Sequence, residues 1–181
     1  MATPAPTTTF THRRLIGLAV AAQMLFILAV AGAGYATTAL GRTITLRTTP
    51  VDPRDLLYGD YLRLNYSISQ VAPTLWQGPE PPRKHQPVYV LLRPQNGSYE
   101  ATAVYPTEPT APAPDQAILR GWVTDSWRHG LRLRYNLERY YVPEATGKSL
   151  QKTGGRRPLL VQVSVAPWGQ ARITKVAELP K

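Results

Sequence analysis

Val51 to Ile68 reads V-D-P-R-D-L-L-Y-G-D-Y-L-R-L-N-Y-S-I, the densest run of signals in the chain. Pro53 fixes its own φ at about −65° and steers Asp52 away from the helical region. Gly59 can take the positive φ of a tight turn, and the side chain of Asp60 can hydrogen-bond its own backbone. From Tyr61 onward the side chains alternate. Leu62, Leu64, Tyr66 and Ile68 fall on one face, and Tyr61, Arg63, Asn65 and Ser67 on the other. A period of two with one apolar face predicts a half-buried β-strand. A loop rich in charge (Asp52, Arg54, Asp55, Asp60) is thus held by a strand, which places the chain among β proteins.

Upstream, Leu15 to Leu40 runs 26 residues without a charged side chain. A helix crosses the hydrocarbon core in about 20 residues, so this run is long enough with some tilt. A cleaved signal peptide would use Arg13 and Arg14 as its basic region, Leu15 to Val30 as its apolar region, and the small residues around Ala29-Val30-Ala31. Its apolar region would be about 7–15 residues, shorter than this run, which favours a retained signal anchor. His12, Arg13 and Arg14 directly precede the helix on a short tail, and positive charge beside a helix end stays cytoplasmic. The expected layout is a cytoplasmic tail over 1–14, with Met1 to Thr11 disordered, a transmembrane helix over 15–40 and an extracytoplasmic domain over 42–181. Arg42 and Arg47 reduce the charge asymmetry. The chain contains no cysteine, so an outside domain must hold together by core packing alone.

All 11 acidic residues and all but two of the 21 basic ones lie in 42–181, a surplus of eight positive charges. Such an excess suits nucleic acid or an acidic surface. Here the charges are spread across strand-like segments, with no basic helix and no aromatic RNA-binding signature. An outside location also separates the domain from nucleic acid. The lipid bilayer, whose anionic headgroups attract basic residues, is the expected partner for this charge.

The remaining segments also read as strands. Arg42 to Thr49 alternates Ile44, Leu46 and Thr48 against Thr43, Thr45 and Arg47. Gln70 to Pro87 carries five prolines and excludes a long helix or interior strand, with room for a short turn around Val71–Trp76. Val88 to Arg93 and Tyr99 to Tyr105 flank Asn96-Gly97, the strongest short hairpin signal. Pro106 to Pro114 is an extended connector. Ala117 to Ser126 and Leu131 to Leu137 form the next hairpin, and Glu138 to Val142 continues or restarts its second strand. Leu159 to Ala166 and Arg172 to Leu179 pair around Pro167–Gln170. About eight or nine strands with turns between them predict an all-β domain, a sandwich or a partly open barrel.

Two blocks carry a resemblance. Gly59-Asp60-Tyr61-Leu62-Arg63-Leu64-Asn65-Tyr66 matches G-D-Y-x-x-L-x-Y, and Asp52-Pro53-Arg54-Asp55 precedes it. Arg134 to Glu144 (R-Y-N-L-E-R-Y-Y-V-P-E) is similar to R-Y-G-[IL]-E-R-[YF]-[FY]-V-P-E, with Asn136 where glycine is usual; both tolerate positive φ. The chain therefore resembles the GDYXXLXY family of bacterial membrane-anchored proteins. The resemblance implies one N-terminal anchor in the bacterial cell membrane, a periplasmic β domain and association with a polytopic membrane protein. It implies no activity.

Candidate chemistry is sparse. Asp52, Asp55 and Asp60 could offer oxygens to a hard cation. Arg54 sits among them, and no twelve-residue calcium loop is present, so turn capping is the expected role and no metal is assigned. Asp60 with Glu138 could form a carboxylate pair of the glycosidase type, and Tyr61, Tyr66, Tyr140, Tyr141, Trp122 and Trp127 could stack on a sugar or pack inside. Cysteine and G-x-S-x-G are both missing, and His12, His85 and His129 sit in a tail and two loops, which disfavours a nucleophilic hydrolase. The D-P-R-D-L-L-Y-G-D run is faintly similar to a signal-peptidase-like β fold, whose serine would fall near Thr48-Thr49-Pro50. No cofactor is expected. Asp52, Arg54, Asp55, Gly59, Asp60, Tyr61, Tyr66, Glu138, Arg139 and Tyr140 are expected to meet at one end of the domain. There the two blocks would pair as a scaffold or as a docking surface for a polytopic membrane partner, with this protein as its non-catalytic accessory subunit. A saccharide-binding module or envelope hydrolase is the alternative.

Overall fold

Helix α1 spans Thr9–Ala39 in the computed structural model, which describes residues 9–50, 57–58, 61–110, 112–141 and 157–178. Within α1, Arg13–Ala36 forms a candidate membrane span. Its apolar side chains are exposed all round the helix, Leu18, Phe26 and Leu28 among them. A helix that is apolar on every side suits hydrocarbon. Thr9 to Thr11 are helical where the polar sequence predicts disorder, because the backbone ladder of α1 continues beyond the apolar run that begins at Leu15.

Thr37–Lys181, which takes in the last residues of α1, is a compact unit. It contains eleven described β segments: β1 Arg42–Arg47, β2 Leu57–Tyr58, β3 Tyr61–Arg63, β4 Gln70–Val71, β5 Pro87–Gln95, β6 Ser98–Tyr105, β7 Ala117–Trp127, β8 Gly130–Arg134, β9 Arg139–Tyr141, β10 Leu159–Val165 and β11 Ala171–Glu178. A five-stranded sheet runs β4-β8-β7-β5-β6, and two three-stranded sheets run β1-β10-β11 and β2-β3-β9. The count exceeds eight or nine because β2 and β4, two residues each, are added to the strands that the sequence predicts.

One apolar cluster joins the inner faces of all three sheets. Ile44 and Leu46 come from β1, Leu62 from β3, Val88, Val90 and Leu92 from β5, Leu119 and Val123 from β7, and Val161 and Val163 from β10. Each fully buried aliphatic side chain is worth about 1.5–3 kcal/mol. The alternation after Tyr61 holds through the rest of the stretch, with Leu62, Leu64, Tyr66 and Ile68 buried and Arg63 and Asn65 exposed. Its regular ladder ends at Arg63. Tyr66 then makes an isolated bridge to Thr48, and Ser67–Ser69 tighten into a 3-10 turn. A second 3-10 turn covers Pro73–Leu75.

The Asn96-Gly97 hairpin forms as its sequence demands, with φ of 50° and 78° at the two turn residues. Positive φ at both matches the right-handed twist of the flanking strands. The second strand of the next hairpin stops at Arg134 instead of reaching Leu137. Asn136 adopts φ 61° and breaks the pleat. The chain leaves the five-stranded sheet there and restarts as β9 beside β3.

Candidate functional site

The two sequence blocks meet edge to edge. β3 and β9 pair antiparallel, with Tyr61 opposite Tyr141, Leu62 opposite Tyr140 and Arg63 opposite Arg139. The Leu64 N–H donates to the Glu138 carbonyl at 2.9 Å, which carries the pairing one residue further. Below this ladder two tyrosines reach across. The Tyr66 hydroxyl donates to the Leu137 carbonyl at 2.8 Å, and the Tyr135 hydroxyl donates to the Ile68 carbonyl at 2.6 Å.

The turn between β8 and β9 is built by its own residues. Asn136 supplies the left-handed backbone, and Glu138 Oε1 accepts the Tyr135 N–H at 2.6 Å. The Tyr135 ring lies over Gly121 of β7, where an added Cβ would stand 2.9 Å from ring Cδ1. Thr48 anchors the other side. Its N–H donates to the Leu159 carbonyl at 2.9 Å, and its Oγ1 accepts the Leu159 N–H at 2.7 Å. The Thr49 N–H donates to the Asn65 carbonyl at 2.8 Å, so the motif strand is tied to the start of β10 as well.

Burial pushes the Tyr66 and Tyr135 hydroxyls well above the ordinary tyrosine value of 10.0, and the nearby Glu138 carboxylate adds to the shift. Both effects disfavour the phenolate, so both groups remain O–H donors at neutral pH.

Outside the ladder the polar faces converge. A recess of about 390 Å³ is lined by Arg63, Arg134, Asn136, Glu138 and Arg139. A neighbouring recess of about 370 Å³ adds Asn65, Ser69, Gln70 and Arg132, and shares Arg134 and Glu138 with the first. Together they form a groove with four arginines and one carboxylate. Among the described residues neither Arg63 nor Arg134 forms an ion pair. The Arg132 guanidinium lies 5.5 Å from the Trp127 ring centroid. A larger recess of about 560 Å³ sits on the proline-rich loop around Trp76, Glu80 and Arg83. Arg83 there is neutralised by Glu80 at 2.7 Å, both well exposed.

Of the residues expected to gather, Tyr66, Glu138, Arg139 and Tyr140 do so, and the Tyr61 backbone joins them in the β3–β9 ladder. Asp52, Arg54, Asp55, Gly59 and Asp60 lie outside the described residues. The carboxylate cluster and the Asp60–Glu138 pair fall there with them. The aromatics divide. Tyr66 is buried, Tyr140 and Trp122 are half-buried, and Tyr141 is 70% exposed. Thr48, near where a serine nucleophile would fall, is buried, with its hydroxyl engaged by Leu159. Sequence reasoning missed Tyr135 and the arginines Arg63, Arg132 and Arg134 as site residues. Their signal was present in the alternation of both strands, but only the register shows that the two polar faces adjoin.

A family model described as GDYXXLXY protein matches residues 23–176, from within α1 to within β11. No curated protein and no solved structure matches the chain.

Proposed function

The chain belongs to the GDYXXLXY protein family, and from that premise we propose that it is a membrane-anchored docking subunit for a polytopic membrane protein. In this reading α1 is a retained anchor in a bacterial inner membrane. Its N-terminus is cytoplasmic and the β domain is periplasmic, with a positive surplus that suits anionic lipid. The flanking His12, Arg13 and Arg14 support that orientation.

One observation carries the docking role. The pairing of the two blocks exposes a groove with four arginines and a single carboxylate, and two of those arginines have no ion pair among the described residues. Arginine is a frequent interface anchor because its planar fork can hold a carboxylate through two hydrogen bonds. We assign the groove a binding role and not a catalytic one. Glu138, the carboxylate it contains, is engaged by the Tyr135 N–H, and the buried Thr48 is held by Leu159.

Co-purification from bacterial membranes tests this. Arg63 and Arg134 are exposed surface residues, so Arg63→Ser/Arg134→Ser should keep the thermal midpoint and lose a polytopic partner that the unaltered chain retains. Retention of every co-purifying membrane protein by that variant would defeat the docking role.

A further inference from the structure

We propose that the groove takes an extended acidic segment of the membrane partner, with carboxylates on alternate residues. This rests on the docking reading above and names the chemistry of the occupant. Arg132 and Arg134 occupy alternate positions of β8, and both are exposed. Strand rise sets alternate side chains about 6.6 Å apart. An extended peptide laid along the open face repeats its own alternate side chains at the same spacing, so two successive carboxylates can face two guanidinium forks. Arg63 and Asn65 repeat the alternation on the other stretch that lines it.

A second observation is the charge of the lining, four arginines against one carboxylate, which a carboxylate-bearing segment complements. Glu138 is the acidic exception in the lining. Its Oε1 is directed to the Tyr135 N–H, so it braces the turn while the arginines outnumber it. A single anionic headgroup would gain nothing from the alternate spacing, whereas a strand-like acidic segment uses it at every second residue.

The test uses the full chain in phosphatidylcholine nanodiscs and two fluorescein-labelled peptides of identical composition. One alternates glutamate with threonine, and the other holds its glutamates in one block. Fluorescence anisotropy should show the alternating peptide binding roughly tenfold tighter, with the preference weakening in high salt. Arg132→Ser/Arg134→Ser should cost at least about tenfold in affinity, with only the small fall in thermal midpoint that loss of the Arg132–Trp127 contact brings. Arg132→Lys/Arg134→Lys should lose less, since charge is kept without the fork.

Equal affinity for the two peptides overturns the proposal, as does binding indifferent to the arginine pair. Arginine-dependent partition onto phosphatidylglycerol vesicles without peptide binding overturns it in favour of a headgroup. A photo-crosslinker at Asn136 in native membranes separates the two readings. Capture of a membrane protein without peptide binding preserves docking and rejects the acidic strand. Peptide binding without capture supports the groove chemistry and counts against docking.

Discussion

Tyr66 and Tyr135 clasp each other's strands with the same offset. Tyr66 donates to the carbonyl two residues after Tyr135, at Leu137, and Tyr135 donates to the carbonyl two residues after Tyr66, at Ile68. One tyrosine comes from each sequence block, so the blocks are locked reciprocally beneath the β3–β9 ladder. The clasp holds the wall of the arginine groove in place.

Removing either hydroxyl leaves a buried carbonyl without that donor. Tyr66→Phe and Tyr135→Phe should each destabilise the β domain by about 1–3 kcal/mol. The double variant should depart from additivity, because the two bonds join the same pair of turns. Denaturation of the full chain in detergent, monitored by tyrosine and tryptophan fluorescence, measures both effects.

Alkali should loosen the same clasp. Burial and Glu138 hold both hydroxyls protonated above the ordinary tyrosine value of 10.0. Above about pH 10 the unfolded chain loses those protons while the folded one keeps them, so stability is fully present below that value and falls as pH rises. Two such groups give a slope of about 2.7 kcal/mol per pH unit. Thermal melts from pH 8 to 11 should show it, and Tyr66→Phe should roughly halve the slope.

Gly121 is required by its neighbour and not by its backbone angle. A Cβ there would stand 2.9 Å from the Tyr135 ring and 3.0 Å from the Arg134 carbonyl oxygen. Gly121→Ala should cost about 1–3 kcal/mol by overpacking. It should also weaken binding in the groove, because it displaces the strand that carries Arg134. A melt paired with the peptide titration checks both.

Asn136 gives a backbone test. Its φ of 61° lies in the left-handed region. Asn136→Gly should leave stability nearly unchanged, while Asn136→Val should lose about 1–2 kcal/mol, since a β-branched side chain is strained there. Equal melting of the two variants would show that the turn relaxes.

The membrane reading has its own readout. Alkaline phosphatase fused after Lys181 should be active and a fluorescent protein that matures only in the cytosol should be dark. N-terminal sequencing of the membrane-purified chain should recover the residues before Leu15. Recovery of a chain beginning near Ala31 would show cleavage.

Much of the fold is legible in the amino-acid sequence. The Asn96-Gly97 hairpin, the apolar span and the burial of Leu62, Leu64, Tyr66 and Ile68 each follow from local chemistry. The break at Arg134 was harder to read. Leu131 to Leu137 alternates without interruption, and only the left-handed angle at Asn136 ends the strand. The short segments β2 and β4 were not countable, because two residues carry no period of their own.

The order of residues alone determined an apolar anchor, a thiol-free β domain and which side of each strand faces the core. These depend on spacing along the chain, which a one-dimensional pattern records. Only tertiary structure decided that Arg63 lies opposite Arg139, that Arg132 and Arg134 border the same groove as Asn65, and that Tyr66 and Tyr135 bond Leu137 and Ile68. Those relations join residues about seventy positions apart, through a register set by packing and hydrogen bonding across sheets, and no local period encodes it.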